Sequence, residues 1–500
     1  MGEHLAAQAP PFPRPGGIVV RPRKERATSE ADDRPLRLDA PREEALEHVA
    51  KLVAEAWRSF DRPRPEEPPL DERVRAILQA GLPLDPVSVH EALDDAARAL
   101  DESIAQPRPR YFAFIGSSGL EIGALGDLLA ATYDMNLAVD ARAATVLEQQ
   151  AVRWVGEFIG YPARNGAFTS GGTISNMTAL AAARERALPG SRAAGLGGLR
   201  VALYASSEVH YSITRAVELL GIGSDRLRDV PIDDEHRMRA DLLGEAIDRD
   251  VAEGVTPVAV IATAGTTLTG AIDPVGPIAD VCEARGIWLH VDGAYGLPAA
   301  AVVPDRFAGV ERADSVSVDA HKWLYVPKAC SVALVREPDS LSRTFAHEQG
   351  YLPHQQHELH AADITLEYSR PLRALKLWLA FRAHGASQFR EAIRRNLAEA
   401  QLLHRRAAER SDFETFAAPP HLSIVPIRHV PEGVDDLDAH NQALADAIQT
   451  DGRVYLASAL IEEKVWLRPC FVNYRTTDDD VLALLDVASE LGERIAKERR

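Results

Sequence analysis

Between about residues 200 and 335, short apolar runs alternate with helix-like stretches, and this alternation constrains the fold more than any other feature of the chain. The runs fall at 201–205, 258–262, 287–291, 315–318 and 331–335. Apolar residues recur at helical spacing over 174–186 and 275–285. Strand, helix, strand in succession predicts an α/β fold: a mostly parallel sheet with helices on its faces. Such sheets hold ligands outside the carboxyl ends of their strands. Two ionisable residues stand at that position. Asp292 closes the run 287–291, and Lys322 follows the run 315–318 within Asp319-Ala320-His321-Lys322-Trp323.

The flanking segments differ in character. Residues 1–42 are rich in Pro, Arg and Asp and predict a disordered arm. Residues 43–106 show helical spacing at 43–60 and 87–104, with a Pro-rich link at 62–69 and no strand core. They read as a segment that packs on something else, either the main domain or a second subunit. The alternating region spans 107–385. A smaller α+β domain is expected over 386–500, with strands near 422–427 and 465–468 and a helix near 442–449.

Bulk properties narrow the function. The net charge of −18 argues against nucleic acid or an anionic membrane as the main partner. No run of about eighteen apolar residues exists to span a bilayer. Cys282, Cys330 and Cys470 are odd in number and far apart, in no metal-binding spacing. Cys282 and Cys330 lie in apolar patterns and fit buried thiols; no metal site or disulfide framework is expected, and a reducing cytoplasm is the natural setting.

An acid at one strand end and a His-Lys pair after the next suit pyridoxal phosphate. The lysine would form a Schiff base with the cofactor aldehyde, and the carboxylate would keep the pyridine nitrogen protonated. Other pieces follow in a workable order. Thr169-Ser170-Gly171-Gly172-Thr173 opens a helix, where free N–H groups and a hydroxyl can hold phosphate. The same stretch also serves as an ordinary capped turn. His210 follows the run 201–205 and could stack on a ring; a loop or cap histidine explains it equally well on local grounds. Thr266 and Thr267 follow the run 258–262 and offer hydroxyls, though Gly-Thr-Thr is also turn chemistry.

Together these pieces resemble the group II pyridoxal-phosphate decarboxylases, the family of aromatic-L-amino-acid decarboxylase, with the aspartate aminotransferase-like fold. The resemblance covers most of the chain after residue 43. It is carried by Trp288-Leu289-His290-Val291-Asp292-Gly293-Ala294-Tyr295, Asp319-Ala320-His321-Lys322-Trp323, Gly265-Thr266-Thr267 and Arg373-Ala374-Leu375-Lys376-Leu377-Trp378. It implies that Lys322 is the Schiff-base lysine, Asp292 the pyridinium partner and His210 the stacking imidazole. Gly172 and Thr173 match the phosphate-binding helix start. Thr267 and His321 match residues near the cofactor, and Ala294 matches the small residue beneath the ring. Glu348-Gln349-Gly350-Tyr351 resembles the family's mobile loop. There Tyr351 stands where decarboxylases carry the tyrosine that returns a proton to the substrate carbon; by itself it could also be an aromatic plug.

Phe114, Ser117 and Asn136 match substrate-pocket positions. Here the sequence departs from the family. Gly116 replaces a proline, Asn136 stands where the aromatic enzymes place a Phe from the partner subunit, and Ala141-Arg142 replaces a Ser-Pro. Asp319 stands where the animal enzymes carry Asn; the expectation is that it holds a backbone turn or an arginine. The resemblance implies decarboxylation of an L-amino acid, aromatic first, with an acidic or diamino acid, an aldehyde synthase or a carbon–carbon lyase as alternatives. It also implies a homodimer.

Overall fold

The computed structural model describes residues 36, 38–63, 70–138, 141–347 and 361–499. The expected N-terminal arm lies outside these residues except for 36 and 38–42. Three helices come first: α1 (Arg42–Phe60), α2 (Glu72–Gln79) and α3 (Val89–Asp101). The α2 helix was not expected. It is one short run, started by the Asp71 side chain, which accepts from the Arg73 N–H just after the Pro-rich link. These helices pack on one another through contacts such as His48 Nε2 to Asp94 at 2.7 Å. They bury little: Ala45 in α1, Val74 in α2 and no residue of α3.

Two helices, α4 (Glu121–Tyr133) and α5 (Ala143–Ile159), lead into the main sheet. The chain then runs β1 (Asn165–Thr169), α6 (Gly172–Ala187), α7 (Ser191–Ala194), β2 (Val201–Ser206), α8 (Tyr211–Leu219) and β3 (Leu227–Val230). It continues through α9 (Ala240–Ala252), β4 (Thr256–Thr263), α10 (Val275–Arg285), β5 (Trp288–Asp292), β6 (Ser315–Val318), α11 (Ala320–Trp323) and β7 (Ser331–Val335). Strand order is β1-β7-β6-β5-β4-β2-β3. Only β7 runs against its neighbours, so the sheet is mostly parallel, as the alternation predicts. The sequence reading missed β1 and β3. Both are edge strands, and β1 (Asn165-Gly166-Ala167-Phe168-Thr169) carries a Gly that weakens its pattern.

The alternation within strands sorts residues between two cores. Leu289 and Val291 join Ile278, Ala279 and Val152 on the face of α5 and α10, whereas Trp288 joins Leu180, Ala183, Ile213 and Val217 on the face of α6 and α8. After α12 (Ser340–Phe345) comes α13 (Ala374–Ala408), which breaks at Gly385, where φ is +71°. A second sheet follows, with order β10-β11-β9-β8 and all pairs antiparallel. Its elements are β8 (Phe413–Thr415), β9 (Ile427–His429), α14 (Leu437–Asp451), β10 (Ser458–Ile461), β11 (Lys464–Leu467) and α15 (Asp478–Arg499).

Two details differ from expectation. The strand near 422–427 begins only at Ile427, because Pro426 cannot donate to a ladder; upstream, Ile424 makes a single bridge to Cys470. The segment around Phe112 belongs to the second core rather than the first. Its N–H donates to Tyr455 O at 2.7 Å and its carbonyl accepts from Cys470 N at 2.9 Å.

A buried ion pair joins α5 to the approach to α13. Arg370 meets Glu148 through two bonds of 2.8 and 2.5 Å, with side chains 0% and 2% exposed. Removing one partner strands the other charge in the interior. Glu148→Ala should therefore cost about 3–5 kcal/mol. The check is a lowered denaturation midpoint at unchanged slope.

Candidate active site

Side-chain alternation on β5 puts Trp288, His290 and Asp292 on one face. The register pairs His290 with Ser315 and Asp292 with Ser317 on β6. The α6 helix crosses this face and presents Asn176, three residues after Thr173. The Asn176 amide donates to Asp292 Oδ2 at 2.8 Å and to Ser212 Oγ at 3.1 Å. Its carbonyl oxygen lies 3.0 Å from His290 Nε2. Burial pushes the His290 imidazole down to about 4, so it is neutral. Its Nε2–H then donates to Asn176, and its Nδ1, 2.9 Å from Ser315 Oγ, accepts from that hydroxyl. Trp288 Nε1 completes the chain by donating to Ser315 at 2.8 Å. Asp292 also accepts from Ser317 Oγ at 3.2 Å and from the Ala294 N–H at 3.1 Å. Its carboxylate is fixed from three directions.

Lys322 lies on α11, the short helix after β6. Its Nζ is 2.9 Å from Asp319 Oδ2. Burial works against the ammonium, but the charge and hydrogen bond of Asp319 outweigh it and hold Lys322 above the usual lysine range. Burial likewise works against the Asp319 carboxylate, and Lys322 with His321 holds it below the usual range. Asp319 therefore pairs with the lysine three residues on, where the sequence suggested a turn or an arginine. Its carboxylate presses against the start of α6: a Cβ on Gly172 would come within 2.9 Å of Oδ2. Only glycine lets the helix start and this acid approach so closely.

These groups share one cavity of 380 Å³. Its wall includes Gly172, Thr173, His210, Thr267, Asp292, Ala294, His321 and Lys322. His210 caps α8, accepting the Ser212 N–H at Nδ1 (3.3 Å). Burial pushes its imidazole below the ordinary range against the pull of Asp292. His321 is lowered by burial too, and its Nδ1 lies 2.9 Å from Cys330 O. The two threonines separate. Thr266 is spent inside its turn, 2.9 Å from Thr269 Oγ1, and Thr267 reaches the cavity.

The remaining expected residues are placed elsewhere. Phe114 is 59% exposed with φ +55°, Ser117 Oγ donates to Val326 O at 3.1 Å, and Asn136 bonds Ser369 Oγ at 3.2 Å. None of the three is on the cavity wall. Tyr351 and its loop lie outside the described residues. Sequence reading missed Asn176, Ser317 and Lys328. Asn176 had a usable signal in its spacing from Thr173 on one helical face, and Ser317 in its alternation on β6. Arg468 was also missed: it is buried, donates to Phe114 O at 3.1 Å, and among the described residues has no acceptor for Nε or Nη2.

An amine, a fixed carboxylate and a helix start with a close glycine match the aldehyde, ring nitrogen and phosphate of pyridoxal phosphate. Among the described residues, no cluster of His, Cys, Asp or Glu could hold a metal ion. A family model for the pyridoxal-dependent decarboxylase conserved domain matches residues 71–429. An aromatic-L-amino-acid decarboxylase of Bacillus atrophaeus is 30% identical over 402 residues, covering 78% of this chain and 82% of the relative. A cysteine sulfinic acid decarboxylase of Mus musculus is 32% identical over 372 residues, covering 71% and 74%. The crystal structure of mouse CSAD superposes with a TM-score of 0.82 at 27% identity, covering 90% of this chain and 98% of that one. The chain belongs to the pyridoxal-dependent decarboxylase family and is a carboxy-lyase that uses pyridoxal 5′-phosphate.

Proposed function

We propose that this enzyme removes the α-carboxyl group of an L-amino acid as CO₂ and returns the amine, with Lys322 and Asp292 as its central residues. The observation that carries the proposal is their meeting in one cavity, each at the carboxyl end of a neighbouring strand. Pyridoxal phosphate bound there supplies a sink for the electron pair left when the carboxylate departs. Lys322 would hold its aldehyde carbon. Asp292 would face its ring nitrogen and keep a proton there. His210 would cover the ring, and Ala294 would leave room beneath it. Gly172 and Thr173 would meet the phosphate, with Thr267 and His321 nearby. Tyr351 would return a proton to the substrate's α-carbon.

Two side-chain classes have support. An aromatic substrate is supported by the name of the bacterial relative and by the pocket segment bearing Phe114 and Ser117. An anionic one is supported by the name of the mouse relative and by a cation on the cavity wall, Lys328. Three buried thiols support a reducing compartment, with the cytoplasm as the proposed location. Among the described residues, no helix is long and apolar enough to cross a membrane. The apolar side chains left out by the N-terminal segment, with Leu84 91% and Leu100 72% exposed, support a homodimer.

Incubating the holoenzyme with a panel of L-amino acids should yield CO₂ and one matching amine. Lys322→Ala should abolish both the product and the visible absorbance of bound cofactor; colour that persists refutes the assignment. Asn176→Ala should lower kcat about 10- to 100-fold, more than it changes KM, by freeing a carboxylate that only the reaction uses fully. It should also shift the pH titration of the cofactor's absorbance, which a purely structural loss leaves in place. Sedimentation equilibrium should give twice the chain mass; a monomer at working concentration sinks the dimer.

A further inference from the structure

Lys328 lies six residues beyond Lys322 and shares its cavity wall. Its Nζ donates to Gln106 Oε1 at 2.8 Å. The same oxygen accepts the Ser117 N–H at 3.3 Å, so Gln106 ties the lysine to the segment bearing Ser117 and Phe114. The backbone beneath it is held separately. Lys376 donates to the carbonyls of Pro327 (3.4 Å) and Lys328 (3.2 Å) and pairs with Asp127 at 2.8 Å.

The other cations nearby are either paired or off the cavity wall. Lys322 is paired with Asp319, Lys376 with Asp127, and Arg468 is turned to the Phe114 carbonyl off the cavity wall. None of the ion pairs among the described residues includes Lys328. An ammonium has three donors, and one amide oxygen takes only one. Burial, and then the charge of Lys322, press its ammonium below the usual lysine range. An anion entering the cavity would relieve both.

Two anions could reach this lysine: the cofactor's phosphate and an acidic group on the substrate's side chain. On the reading above, the phosphate has its own cradle at the start of α6, at Gly172 and Thr173. Lys328 is instead tethered to the Gln106–Ser117 side. On the decarboxylase reading above, we infer that Lys328, braced by Gln106, is a specificity-determining residue that selects an L-amino acid whose side chain ends in a carboxylate or sulfinate.

The test is steady-state kinetics of the holoenzyme on L-glutamate, L-aspartate, L-cysteine sulfinate, L-phenylalanine, L-tyrosine and L-tryptophan, for wild type, Lys328→Met and Lys328→Arg. Wild type should favour an anionic member. Lys328→Met should collapse the anionic-to-neutral ratio of kcat/KM about 10- to 100-fold, chiefly through KM, and Lys328→Arg should restore part of it. A wild-type preference for aromatic members overturns the inference. So does an equal loss on all substrates, or a weakened cofactor dissociation constant with unchanged selectivity, which assigns the lysine to the phosphate. Amine from neutral members alone leaves the decarboxylase reading standing while refuting this one. No amine from any member refutes both.

Discussion

The site depends on one buried hydrogen-bond chain, from Trp288 through Ser315, His290 and Asn176 to Asp292. Each link settles the direction of the next. A carboxylate can only accept, so Asn176 must turn its amide nitrogen to Asp292 and its oxygen to His290. The histidine must then carry a proton at Nε2. Burial disfavours its charged form, which leaves Nδ1 free to accept from Ser315. Every member of the chain sits on β5, β6 or α6. Satisfying it locks the helix over the strand ends and thereby aims the start of α6 at the same cavity as Lys322.

The architecture was legible because it rests on patterns that a sequence displays. Apolar runs marked the central strands, and their carboxyl ends marked Asp292 and Lys322. Edge strands such as β3, where Leu227 and Arg228 are half-buried, Asp229 is exposed and only Val230 is buried, lack a strong apolar run and went unseen. Asn176 was hidden for a different reason. A polar residue inside a helix shows its purpose only when the strand beneath it is known. Lys328 carried no signal in the sequence; only the fold brings Gln106, 222 residues earlier, against it. The pocket positions carried over by resemblance, Phe114, Ser117 and Asn136, lie off the cavity wall, and at Asn136 the resemblance itself pointed to a residue of a partner subunit.

Charge placement around Lys322 differs from its neighbours in kind. Asp292 is held by neutral donors, which orient it without cancelling its charge. Asp319 instead meets a full cation and lies against a helix start, two environments that both stabilise an anion. The two acids thus hold different positions around one lysine. An amide at 319 would keep the shape and lose the countercharge, which is why Asn and Asp are not equivalent there.

The support beneath Lys328 has a consequence for substitution there. Lys376 holds the carbonyls of residues 327 and 328 and asks nothing of the side chain that residue 328 carries. The backbone there keeps its support whatever that side chain is. On the inference above, a single substitution at 328 changes what the wall offers a substrate, while the buried hydrogen-bond chain that holds Asp292 stays untouched.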